Sequence, residues 1–129
     1  MKQLMRVLKA CADPNRMRIL KMLQARELCV CEITEAVRIA QPSVSRHMRI
    51  LEEAELVKQR KEGQWVIYRL NDRSANPYAL DILDRLPGWL QEDREIQSLA
   101  RKTAVLDRNV ICGKRASRPG SSVLEEARP

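Results

Sequence analysis

Phenylalanine is absent from this 129-residue chain, and two tryptophans and two tyrosines are its only aromatic residues. Readers of single-stranded nucleic acid stack bases on aromatic platforms, so that class of function is disfavoured. Glycine is scarce at four residues and forms no phosphate cradle. A thiol enzyme acting on a phosphate-like anion needs such a cradle and a general acid, so an enzyme is not expected. No apolar run is long enough to span a bilayer, and the N-terminus has no apolar leader segment. The chain is therefore expected in the cytoplasm, without a membrane partner. There thiols stay reduced, and the four cysteines are candidate metal ligands or plain thiols, not a disulfide framework. There are no internal repeats.

What is present is positive charge. Lysine and arginine number 24 against 17 acids, a formal net charge of +7. That balance favours an anionic partner, nucleic acid first. The charge is segregated: residues 1–26 hold seven basic residues and one acid, residues 71–100 three basic and six acidic. The length suits one domain with a small core, which makes a shared core with a second copy plausible.

Leu4, Met5, Leu8 and Cys11 recur at helical spacing and predict a helix over 2–11. Asp13-Pro14 reads as an N-cap followed by proline at the first helical position, opening a second helix to about Arg26. Residues 27–31 read as a short extended piece and Glu32 to Arg38 as a third helix, with a turn at Ile39-Ala40-Gln41. Gln41-Pro42 opens a fourth helix, to about Ala54, with Val44, Met48 and Leu51 on one face. Leu56 to Arg60 and Trp65 to Leu70 alternate around Lys61-Glu62-Gly63-Gln64, the pattern of a β-hairpin. Tyr78 to Leu106 is leucine-rich and helical, interrupted at Pro87-Gly88. The fold class is mainly α with a small β-hairpin: a winged helix–turn–helix, dimeric, with helix 1 and the Tyr78–Leu106 segment at the interface. Residues 1–108 form the DNA-binding and dimerisation domain. Residues 109–129, rich in Gly, Pro, Ser and Arg, read as a disordered basic tail.

A helix in the major groove needs an apolar face for the core and a polar face for bases and phosphates. Ser43, Ser45, Arg46, His47 and Arg49 meet the second need, and Gln41 stands at the helix start. Lys58, Arg60 and Lys61 in the hairpin are candidate wing contacts to phosphate or the minor groove. An amphipathic helix with a basic solvent face is commonplace by itself. The order of helix, turn, proline-started helix and basic hairpin is far more specific to double-stranded DNA.

Cys29 and Cys31 stand one residue apart just before this element. Thiolates are soft ligands and suit soft ions. On a regular helix, residues two apart point about 200° away from each other. The pair can share an ion only on an extended lead-in, or if the first turn of the third helix unwinds. Either route ties ion binding to the DNA-reading helix. The plainer reading is that both are small buried apolar residues.

The runs Ala12-Asp13-Pro14-Asn15-Arg16-Met17-Arg18-Ile19-Leu20, Glu27-Leu28-Cys29-Val30-Cys31-Glu32, Gln41-Pro42-Ser43-Val44-Ser45-Arg46-His47-Met48 and Gly63-Gln64-Trp65-Val66-Ile67-Tyr68-Arg69-Leu70 resemble the ArsR/SmtB family of metal-responsive winged-helix repressors, in its arsenic-responsive branch. The resemblance covers about residues 5–71. It implies a homodimer that represses an arsenical resistance operon and leaves operator DNA when As(III) or Sb(III) binds its cysteines. The ligands it implies here are Cys29 and Cys31. The family's third cysteine is replaced by Thr34, so the third sulfur falls to Cys112, to Cys11 or to a cellular thiol. Glu55 stands where relatives carry glycine after the recognition helix. The alternative signals are cadmium, lead or thiol oxidation. The last-helix zinc site of other relatives needs histidine, which residues 78–106 lack.

Overall fold

The computed structural model describes residues 1–111. Val7 and Ala10 bury the inner face of α1 (Lys2–Cys11). The Asp13 carboxylate accepts the Arg16 N–H at 3.0 Å and starts α2 (Pro14–Ala25), with Pro14 in the first turn where no donor is missed. A two-residue strand β1 (Leu28–Cys29) leads into α3 (Val30–Val37). Arg38, at φ 60°, ends that helix in the left-handed conformation. The chain then turns into α4 (Gln41–Glu53), the proline-started helix expected from sequence. Strands β2 (Val57–Glu62) and β3 (Trp65–Leu70) form the hairpin. Its two-residue turn holds Gly63 at φ 61°, a conformation that suits glycine. The leucine-rich segment splits at proline as expected, into α5 (Pro77–Arg85), a 3-10 turn over Leu86–Gly88, and α6 (Arg94–Ala104).

The structure differs from the sequence expectation in several places: β2 runs on to Glu62, so Lys61 and Glu62 lie in the strand and not in the turn. The third helix starts at Val30, not Glu32, because Cys29 serves as its N-cap in an extended conformation (φ −88°, ψ 168°). The extended piece before it does not stand alone. Leu28 pairs with Tyr68 and Cys29 with Ile67, so the sheet has three antiparallel strands in the order β1-β3-β2.

The core lies among α2, α3, α4 and the base of the hairpin. Ile19, Leu20, Ile33, Val44, Met48, Leu51 and Leu56 are fully buried. Each large aliphatic side chain removed from water there contributes about 1.5–3 kcal/mol. This packing fixes how α4 stands on the rest of the domain. Glu55 adopts a left-handed turn (φ 63°) just after α4. The strain of about 1–2 kcal/mol for a side-chain-bearing residue there is offset by delivering Leu56 into the core and by the Asn71 Nδ2–H donated to the Glu55 carbonyl at 3.3 Å.

Some apolar residues find no cover within one chain. Met5 and Leu8 on α1, Tyr78 and Leu80 on α5, and Trp89 and Leu90 beyond it are exposed, and α1 packs against α5. Leu99, expected at the interface, is instead 8% exposed and belongs to the core. Among the described residues no helix is long and apolar enough to cross a membrane.

Candidate nucleic-acid interface and thiol site

α4 turns Val44, His47, Met48 and Leu51 inward and leaves Gln41, Pro42, Ser45, Arg46 and Arg49 exposed, with Ser43 half-buried. Pro42, Ser45, Arg46 and Arg49 follow i, i+3, i+4, i+7 spacing and share one face. Arg46 and Arg49 make no ion pair with any described residue, so their guanidinium donors stand uncommitted.

His47 departs from the outward position expected for it. It is 7% exposed, because its place three residues after Val44 and four before Leu51 lies on the inward stripe. Its Nδ1 sits 3.1 Å from Arg16 Nη1. Guanidinium only donates, so Nδ1 accepts, the ring is neutral and its proton is on Nε2. Arg16 also donates to the carbonyls of Ala10 (2.7 Å) and Lys9 (3.1 Å), tying the end of α1 to α4. Burial pushes the His47 pKa down, against the pull of Asp13 and with the push of Arg16 and Arg46. Asp13 is also partly desolvated, but the Arg16 N–H and guanidinium outweigh this and hold its pKa below the usual range. The unfolded chain takes up the proton at His47 more readily, so this stabilising contribution is full above the ordinary value of 6.5 and fades as pH falls below it. The urea midpoint should therefore drop more between pH 7.5 and 5.5 in the wild type than in His47→Asn, whose Oδ1 takes the place of Nδ1 as acceptor for Arg16. Equal drops would show that His47 does not carry this dependence.

In the wing, Lys58 and Lys61 are exposed and, by strand alternation, face opposite sides of β2. Arg60 is not the unengaged phosphate contact expected. It pairs with Glu27 at 2.6 Å and Glu62 at 3.0 Å. Both pairs are solvent-exposed and therefore weak, so phosphate can still compete for the guanidinium.

The cysteine segment lies along wing strand β3, with Cys29 beside Ile67. Cys29 and Ile67 form a small buried cluster, and Cys31 and Trp65 pack against it. Cys29 and Glu32 close a capping box at the start of α3. The sulfur stands where serine usually does, and Glu32 Oε1 accepts the Cys29 N–H at 2.9 Å. Glu32 is fully buried, and burial pushes its pKa up against the pull of that N–H, Arg108 and Arg26. Arg26 Nη2 lies 2.7 Å from Oε2 and Arg108 Nε 3.3 Å from Oε1. These two arginines, with Trp65 beneath Arg108, were not found from sequence, since only the long-range fold brings them to the thiols. Cys11 packs against the main core, apart from the Cys29 cluster, and burial pushes its thiol pKa up against the pull of Arg16. Cys112 lies outside the described residues, as does the tail from 112 onward. Among the described residues, no three His, Cys, Asp or Glu side chains are gathered as a ready metal site.

The model of the family described as bacterial regulatory protein, arsR family, matches residues 13–59, the stretch from the α2 cap into the wing. The chain is 40% identical over 91 residues to the arsenic resistance transcriptional regulator ArsR1 of Pseudomonas putida, covering 67% of this chain and 71% of that one. It is 37% identical over 97 residues to the arsenical resistance operon repressor of Escherichia coli K12, covering 74% and 80%. The chain belongs to the arsR family. Among solved structures it is similar to HlyU of Vibrio cholerae, with a TM-score of 0.57 and 32% identity over 70% of this chain and 95% of that one. A homodimeric winged helix–turn–helix domain of Mycobacterium bovis superposes with a TM-score of 0.58 at 26% identity, covering 72% and 82%. The fold is thus a winged helix–turn–helix, as expected, and this arsR-family member is a DNA-binding transcriptional regulator, not an enzyme.

Proposed function

We propose that this regulator is a homodimeric repressor of an arsenical resistance operon, released from its operator when As(III) or Sb(III) binds Cys29 and Cys31. One observation carries the reading: Cys29 is at once the strand partner of Ile67 in the wing and the N-cap of the first helix of the DNA-reading pair. A ligand that moves this residue acts on both DNA-contacting elements. Arsenous acid, As(OH)3, condenses with three thiols, forming three As–S bonds and releasing three waters. Cys29 lies outside the helix and Cys31 in its first turn, and both meet the same small cluster. This removes the opposed directions that two positions in regular helix would have. Bringing both sulfurs to one ion draws Cys29 off the capping box and loosens the start of α3.

Cys112 is the third sulfur. Cys11, in the main core, is the less suitable donor. The dimer buries the exposed apolar residues of α1 and α5, and two α4 helices then read a pseudo-palindromic operator. Gln41, Ser43, Ser45, Arg46 and Arg49 are its base and phosphate contacts. Lys58, Arg60 and Lys61 act from the wing, and His47 from behind, through Arg16.

The test begins with an operator selected by the protein itself from a random duplex pool. Arg46→Ala should weaken binding to it by about 1–3 kcal/mol per lost base contact and relax the selected sequence. Lys58→Ala and Lys61→Ala should weaken binding evenly across sequences and lower the salt slope by about one each. An Arg46→Ala variant that selects the same operator with the same affinity would remove α4 from the DNA.

A further inference from the structure

Glu32 is the only buried acidic side chain among the described residues, and its two oxygens join three separate parts of the chain. Oε1 holds the Cys29 N–H and faces Arg108 Nε, and Oε2 faces Arg26 Nη2. The same Arg26 nitrogen donates to the Leu106 carbonyl at 3.0 Å. The Arg108 guanidinium lies over the Trp65 ring, 5.7 Å from its centroid, at the first residue of wing strand β3. A buried carboxylate between two guanidiniums is weak evidence of added stability, because desolvation offsets the attraction. It does hold its partners in one arrangement. Here the partners are the cap that carries a sensing thiol, the chain segment after α6 and, through Arg108, the tryptophan beside the wing's turn.

Taking the thiol-release reading as its foundation, we infer that Arg108, acting through Glu32 and Trp65, is a positioning residue that couples ligand at Cys29 and Cys31 to operator affinity. With the thiols unliganded, the Cys29 N–H and Arg108 share Oε1, and Arg108 rests on Trp65, so cap and wing are held together. When the ligand draws Cys29 from its cap, Oε1 loses the N–H. The carboxylate and Arg108 then reorient, and Trp65 loses its cation. Arg108 is anchored on Glu32 and on the Trp65 ring. Its effect is on the ratio of operator affinities with and without ligand, not on either binding event alone.

Operator affinity is measured with and without sodium arsenite for the reduced full-length wild type, Arg108→Ala and Arg108→Gln, the last keeping most of the side-chain volume. Allosteric ratios are typically about 5- to 150-fold. The wild-type ratio should fall to within about threefold of unity in both variants, while the bound arsenic per protein stays unchanged. In a Trp89→Phe background Trp65 is the only tryptophan left. Arsenite should change its emission, and Arg108→Ala should abolish that change. A purely structural role would weaken operator binding equally with and without arsenite and leave the ratio intact, which would overturn the proposal. A wild-type ratio of one would remove the thiol-release reading itself, and this inference with it.

Discussion

A Cys29→Ser, Cys31→Ser double variant should repress fully and no longer respond to As(III) at all. Serine is nearly isosteric with cysteine, and at position 29 it is the better N-cap, so α3 and its capping box survive the change. What disappears is the soft donor, and a hydroxyl is a poor ligand for a thiophilic ion. Each single variant should lose most of the response, because the two protein sulfurs that remain cannot close a three-thiolate site. Cys112→Ser should lose it as well, and Cys11→Ser should retain it with normal thermal stability. A reporter fused to the selected operator reads all five proteins under an arsenite dose series. Derepression of the double variant at wild-type doses would return both cysteines to the role of buried filler in the Ile67 cluster.

The second large effect lies at the dimer face. Leu8→Glu on α1 and Leu80→Glu on α5 place a charge on residues that are 45% and 37% exposed in one chain, so the fold itself should persist. In a dimer each would bury an unpaired carboxylate, which costs several kcal/mol. Both should sediment as monomers. Operator affinity should fall about 100-fold or more, since the second recognition helix then binds without the benefit of linkage. Intact dimers for both Leu8→Glu and Leu80→Glu would move the interface to another face.

Much of this was legible in the chain because local signals and global packing agree. Asp13-Pro14 and Gln41-Pro42 announce helix starts through capping and fixed φ, and the structure places α2 and α4 there. The hairpin follows from alternation around Gly63. The start of α3 was displaced by two residues because sulfur is not an ordinary N-cap signal, whereas Glu32 three residues later was the visible half of the box. His47 was read by chemistry when its spacing from Val44 and Leu51 already placed it inward. Leu99 looked like an interface residue because periodicity shows which face is apolar, not what covers it. Glu27 with Arg60, and Arg108 with Glu32, pair across 33 and 76 positions. No local pattern announces contacts of that separation. They came from the fold alone, and they link the thiols to the wing.

The central claim is that soft-ion binding at the Cys29 and Cys31 thiols releases this regulator from DNA. Its most direct test is fluorescence anisotropy of a labelled selected operator, held by the reduced dimer, as arsenite is titrated in at fixed salt. The account predicts that anisotropy falls to that of free duplex, with an endpoint of one arsenic per protomer. A complex that keeps its anisotropy through saturating arsenite, with the thiols shown reduced by titration, would contradict it.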